Sequence, residues 1–172
     1  NFTSTKNPQN IKKPKFILIT NSSEWETFGC KGSVVNFFGD QVRAIRETCR
    51  YFEKNNPEIK FILRVHPQYS FRDKLTLENI LKLSKFKNLE IIGPEDNIDT
   101  YDLIKESHFV ISFYSYSGPE AVVRGKKLLI LGPANYQSFK IGVFPKSKLD
   151  FYNNIQKYWK LKNPKSSKAQ VS

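Results

Sequence analysis

Two rhythms of apolar and polar positions run through this chain. Short continuous apolar runs recur at Phe16–Thr20, Ile59–Val65, Leu89–Ile92, Phe109–Phe113 and Leu128–Leu131. Runs of this length and character predict strands buried on both faces. Between them the spacing becomes helical. Val42, Ile45, Cys49 and Phe52 fall three, four and three apart between Gly39 and the Asn55-Asn56-Pro57 stop, one apolar stripe of an amphipathic helix. Leu75, Leu77, Ile80, Leu81 and Leu83 predict a second helix, residues 99–106 a short third, residues 117–124 a fourth and residues 150–160 a last one rich in aromatics. Strand and helix alternate about five times, which predicts an α/β fold: a Rossmann-like three-layer α/β/α arrangement with a parallel sheet of about five strands. The expected division is a linker at 1–14, the Rossmann-like domain at 15–145, a C-terminal helix at 146–162 and a flexible basic tail at 163–172.

Composition refines this picture without changing it. With 172 residues, 39% hydrophobic and 14% aromatic, the chain has enough apolar mass for one domain with its own core. No apolar run is long enough for a membrane span. The first fifteen residues contain no apolar leader-like stretch, so a cytoplasmic location is expected. Methionine is absent, even at position 1, which suggests a piece of a longer protein. Two cysteines, Cys30 and Cys49, are too few for a disulfide framework.

The formal charge of +12 first suggests nucleic acid. Its distribution argues otherwise. Four lysines in residues 1–15 and five in residues 157–172, with no acid in either stretch, leave +3 for the body. No nucleic-acid partner is therefore expected. The basic ends suit peripheral contact with an anionic membrane, at the inner face, or serve only as a solubilising fringe.

In a parallel α/β sheet, ligands bind at the carboxyl ends of the strands. Those ends read Asn21-Ser22-Ser23-Glu24, then Arg64 and His66-Pro67, then Gly93-Pro94-Glu95-Asp96, then Ser115-Tyr116-Ser117-Gly118-Pro119-Glu120, then Gly132-Pro133-Ala134-Asn135-Tyr136. The rim is rich in hydroxyls and amides. It has no phosphate-binding P-loop, no GxGxxG and no zinc-type spacing. Ser117-Gly118-Pro119 at a helix start offers an anion site, with hydroxyls from Ser115 and Ser117 on a phosphate and Glu120 on ribose. The same residues spell the S-x-x-E capping box, in which Ser117 and Glu120 would serve only the helix. His66, held extended by Pro67, is either a hydrogen-bonded rim residue or a phosphate donor assisted by Arg64.

The ordered set Arg64-Val65-His66-Pro67, Asn97 to Ile104, Ser115 to Ala121, Gly125 and Leu131 to Tyr136 resembles the bacterial capsule polysaccharide biosynthesis proteins, GT-B-type glycosyltransferases that include Kdo transferases. The resemblance runs over about residues 16–140. It implies the C-terminal, donor-binding half of a GT-B fold. It places His66 on donor phosphate, Ser115, Ser117 and Gly118 along phosphate or ribose, Glu120 on ribose, and Ser22, Ser23 and Glu24 near the donor. Tyr101 and Tyr136 join that set. Tyr116 and Pro119 depart from the family pattern, where a small hydroxyl and an aliphatic residue are expected.

The implied donor is a CMP- or UDP-linked sugar, with no cofactor and no metal, since helix dipoles and basic side chains can neutralise the leaving group. The implied acceptor is a glycan or lipid-linked glycan, bound by an N-terminal domain missing from this chain. The base that activates it would lie there too, so His66 is the one catalytic candidate here. Two rivals share the scaffold: a polyol-phosphate transferase of teichoic-acid type using a CDP-linked donor, and a non-catalytic interaction domain.

Overall fold

A computed structural model describes residues 15–23, 37–69, 73–132 and 134–161. Five apolar segments form one parallel sheet: β1 (Ile17–Thr20), β2 (Phe61–Arg64), β3 (Leu89–Ile92), β4 (Phe109–Ser112) and β5 (Leu128–Ile130), in the order β3-β2-β1-β4-β5. The helices are α1 (Gln41–Asn55), α2 (Lys74–Leu81), which tightens into a 3₁₀ turn at Lys82–Lys85, α3 (Thr100–Glu106), α4 (Ser117–Val123) and α5 (Lys148–Lys160).

The strands alternate between two cores, as the two-residue side-chain period requires. Ile17, Ile19, Leu63, Phe109, Ile111 and Leu129 face α1, α2 and α5. Phe16, Leu18, Ile62, Val110, Leu128 and Ile130 face α3 and α4. Both faces are covered, so the strands read as unbroken apolar runs. The three-layer α/β/α reading therefore stands.

Local chemistry sets the ends. Asp40, Asp73, Asp99 and Ser147 each accept from a backbone N–H in the first turn of α1, α2, α3 and α5. The Ser147 cap starts α5 at Lys148, two residues before the apolar pattern suggests. β2 begins at Phe61 rather than Ile59, because Ile59 N–H turns back to the Asn56 carbonyl.

The last helix is an integral part of the first core. Phe151, Tyr152 and Ile155 are buried in it, and Tyr152 stacks on Tyr51 with centroids 4.1 Å apart. Lys148 pairs with Glu47 at 2.6 Å. At the other end of α5, His108 meets the Tyr158 carbonyl at 2.9 Å. His108 thus ties α5 to the amino end of β4, at the rim opposite the strand carboxyl ends.

Candidate functional site

β1 and β4 are neighbours in the centre of the sheet. The chain builds outward from β1 through β2 to β3, and from β4 to β5, so the connections leave β1 and β4 in opposite directions. Such a switch point opens a crevice at the strand carboxyl ends. The register aligns Thr20 with Arg64 on one side and Ser112 on the other. Residues just beyond these three define the site: Asn21 to Ser23, His66, and Ser115 to Ser117.

On the β1 side the backbone is clamped. Gln41 accepts from Ser22 N–H and donates to the Ser22 carbonyl, each at 3.2 Å, and the Tyr69 hydroxyl donates to that carbonyl at 2.9 Å. Asn21 Oδ1 accepts from His66 N–H at 2.9 Å, which joins the ends of β1 and β2. His66 Nδ1 accepts from Gln68 N–H at 3.2 Å, so the ring proton sits on Nε2. Asn21, Ser22 and Ser23 are at most 2% exposed. Glu24 lies outside the described residues.

Two polar groups in this clamp have no partner among the described residues: Asn21 Nδ2 and the Ser22 hydroxyl. Of five such buried atoms among the described residues, four (these two, Arg64 Nε and Gln68 Oε1) lie at or just beyond the carboxyl ends of β1 and β2. A buried polar group without a partner costs about 1–3 kcal/mol. The strain therefore concentrates on the rim. The sequence places Asn21 on the rim but gives it no role in donor binding. Its position immediately after an apolar strand is the signal that identifies it.

The β4 side is organised differently. Tyr114 adopts a left-handed φ of 58° and its ring lies over Gly132, where a Cβ would come within 2.3 Å of it. A non-glycine residue in that region carries strain of the kind that collects at functional sites. The next carbonyl, that of Ser115, is a knot: it accepts from Gly118 N–H at 3.0 Å, Tyr136 OH at 3.0 Å and Ser112 Oγ at 3.1 Å. Ser117 Oγ lies 2.8 Å from both Thr20 Oγ1 and Ser115 Oγ, so it donates to one and accepts from the other.

Several expectations change here. The capping box does not form. Tyr116, not Ser117, occupies the cap position and makes no side-chain cap bond. Glu120 Oε1 accepts instead from the Tyr101 hydroxyl at 2.9 Å, linking α4 to α3. Nor does the start of α4 present an open anion cradle. Ser117 N–H bonds Ser115 Oγ at 3.4 Å, Gly118 N–H bonds the Ser115 carbonyl, Pro119 has no N–H, and Glu120 N–H bonds the Tyr116 carbonyl at 3.5 Å. The turn at Ser115 has consumed the donors.

Gly118 is buried and serves packing, since a Cβ there would meet Tyr136 OH at 2.8 Å and Leu128 and Ser112 at 3.3 Å. Tyr136 is 6% exposed beneath it, and burial pushes its hydroxyl pKa up. Arg64 turns away from the crevice, with Nη1 donating to the Gly93 carbonyl and Nη2 to the Asp96 carbonyl at 3.4 Å. Burial lowers its pKa, and Asp96 partly offsets that. The guanidinium organises the loop after β3 rather than assisting His66.

Tyr101 stands apart from the crevice floor, on α3. Its ring carries the Arg124 guanidinium at 4.7 Å, so α3 and α4 share a Tyr101–Glu120–Arg124 contact. Beyond α4 an apolar hollow of about 500 Å³ opens between Tyr116, Pro119, Val123 and Phe139. Among the described residues no cluster of three or more His, Cys, Asp or Glu is placed to hold a metal, and no helix is long and apolar enough to cross a membrane.

Fold and crevice together define one Rossmann-like half of the GT-B architecture. The chain belongs to the capsule polysaccharide biosynthesis protein family, whose model matches residues 5–156. No curated protein matches it.

Solved structures that share the fold at low identity include the following three. A UDP co-structure of Staphylococcus aureus MnaA superposes with TM-score 0.59 at 16% identity, over 92% of this chain and 41% of that one. A UDP-GlcNAc 2-epimerase from Neisseria meningitidis bound to UDP-GlcNAc gives 0.58 at 19%, over 87% and 38%. The β-Kdo 2,7 transferase of Thermosulfurimonas dismutans KpsC gives 0.50 at 20%, over 83% and 43%. The chain thus spans about two-fifths of the length of each.

Proposed function

We propose that this chain is the donor-binding half of a glycosyltransferase that builds a capsular or other surface polysaccharide from a nucleotide-linked sugar. The crevice at the β1/β4 switch point carries the reading. It has a buried amide and hydroxyls on one wall, Asn21 to Ser23, and a hydroxyl cluster, Ser115 and Ser117, on the other. Family membership supplies the biosynthetic context, and two structures of the same fold hold UDP or UDP-GlcNAc.

In this reading residues 15–145 bind a CMP- or UDP-linked donor, and α5 packs with α1 and α2 on one face of the sheet. His66, with its ring proton on Nε2, donates to the departing phosphate as the bond to the sugar's anomeric carbon breaks. Glu120 takes ribose hydroxyls. The acceptor and its activating base belong to a second, N-terminal domain, so this half alone does not transfer sugar. No metal is needed. The basic ends touch the membrane from the cytoplasmic side.

Titration of the 172-residue chain with CMP, UDP, GDP and their sugar conjugates, followed by amide chemical shifts, tests this. We expect shifts confined to Asn21–Ser23, His66 and Ser115–Glu120. Silence at millimolar ligand refutes the reading, and preference for CDP-glycerol redirects it to polyol-phosphate transfer.

A further inference from the structure

The two walls of the crevice are unequal. At α4 each N–H of the first turn already has an intramolecular acceptor. After β1 the reverse holds: Asn21 Nδ2 and Ser22 Oγ are buried, adjacent in sequence and without a partner among the described residues. We propose that the donor's phosphoryl group is received on the β1 side, by the Asn21 amide NH₂ and the Ser22 hydroxyl, and not at the start of α4. The proposal rests on the donor-binding reading above and assigns the anion to particular atoms within it.

The local geometry is that of a preformed receptor. Asn21 Oδ1 is occupied by His66 N–H, which fixes the plane of the amide and leaves the NH₂ corner as a donor without an acceptor. The Ser22 backbone is held by Gln41 at its N–H and carbonyl and by Tyr69 at its carbonyl, which fixes where its side chain starts. An NH₂ group donates only and needs an acceptor atom. A phosphoryl oxygen accepts several hydrogen bonds at once, and bonds to a charged group are the strong ones. The bond from the His66 backbone N–H to Asn21 Oδ1 ties the end of β2 to this receptor.

Two variants isolate the idea. Asn21→Asp keeps an acceptor for His66 N–H and replaces the NH₂ donor by a carboxylate oxygen. Ser22→Ala removes the hydroxyl and leaves every backbone clamp in place. Affinities for UDP, CMP, inorganic phosphate and uridine are measured by calorimetry and chemical-shift titration, with thermal unfolding confirming that each variant is folded. Loss of a hydrogen bond to a charged group predicts roughly 10- to 100-fold weaker UDP and CMP binding in Ser22→Ala. Asn21→Asp weakens it at least as much, and uridine is unaffected in both.

In the wild type the Asn21 side-chain NH₂ resonances move with UDP and with inorganic phosphate, and stay fixed with uridine. If UDP binds the wild type and Ser22→Ala equally, with the Asn21 NH₂ resonances unmoved, water fills this pocket and the proposal fails while the donor reading stands. If the wild type binds none of the nucleotides, both fall.

Discussion

The hydroxyl of Ser117, the first residue of α4, lies 2.8 Å from that of Thr20, the last residue of β1, across 97 positions of sequence. This is the cross-link between the two central strands' exits. Thr20→Val keeps the shape and removes the hydroxyl, while Ser117 keeps its bond to Ser115. A net loss of about 0.5–1.5 kcal/mol is expected in urea unfolding, the usual contribution of one neutral hydrogen bond. A variant as stable as wild type shows that Ser115 alone satisfies Ser117.

Gly118 and Tyr136 form a second contact of the same kind. A Cβ on Gly118 would press on the Tyr136 hydroxyl at 2.8 Å, and α4 would have to lift from β4 and β5. Gly118→Ala is expected to destabilise by about 1–3 kcal/mol, the range for overpacking. Tyr136→Phe removes the oxygen that collides. It also removes a bond to the Ser115 carbonyl, so alone it is mildly destabilising. The double variant should be more stable than the two single losses predict, with a coupling read from a thermodynamic cycle. Simple additivity sinks the packing role assigned to Gly118.

The architecture was legible because each strand is an apolar run with a polar stop, and the α1 stripe has an unambiguous period. Boundaries moved where backbone bonds decide them, as at Ile59 and Ser147. The rim was legible, and the local contacts of Ser117, Glu120 and Arg64 were misread. Ser117 and Glu120 have cap spacing, yet a cap needs an N-cap backbone geometry that pattern cannot reveal, and here Tyr116 occupies that position. Arg64 is two residues from His66, a spacing that puts both on one face of a strand, but β2 ends at Arg64 and the guanidinium is taken up by the Gly93 and Asp96 carbonyls. Asn21 gave no motif at all. Its importance lies in an unmet hydrogen bond, a property of three-dimensional neighbours.

Tyr101 and Glu120 make the site titratable at high pH. The bond to Glu120, and that residue's charge, raise the Tyr101 pKa above its ordinary value. The protonated phenol is the donor, so the folded state holds the proton more tightly than the unfolded chain. The resulting stabilisation is complete below the unfolded pKa of about 10 and disappears as pH rises through the higher folded value. In Glu120→Gln the charge is gone, and absorbance titration should find the Tyr101 transition at lower pH, with Tyr101→Phe identifying the signal. An unchanged transition means that the two side chains do not meet in solution. The same Glu120→Gln variant tests the ribose assignment: weaker binding of uridine and UDP alike marks contact with the ligand, while unchanged affinity leaves Glu120 as a tie between α3 and α4.

Cys49 reports on the first core. It is fully buried on α1, and burial, with a smaller contribution from Glu53, pushes its thiol pKa up to about 12. Only the thiolate reacts with disulfide reagents. At pH 8 the native thiol is therefore inert twice over, by access and by protonation. In a Cys30→Ser background, labelling of Cys49 should be far slower than that of a free thiol, and its rate should rise with urea in parallel with global unfolding. The Asn88 side chain donates to the Cys49 carbonyl at 3.0 Å and ties α1 to the segment entering β3. Asn88→Ala should speed labelling in proportion to the stability it removes. Rapid labelling of the native wild-type core, independent of urea, would mean that α1 opens locally from the sheet.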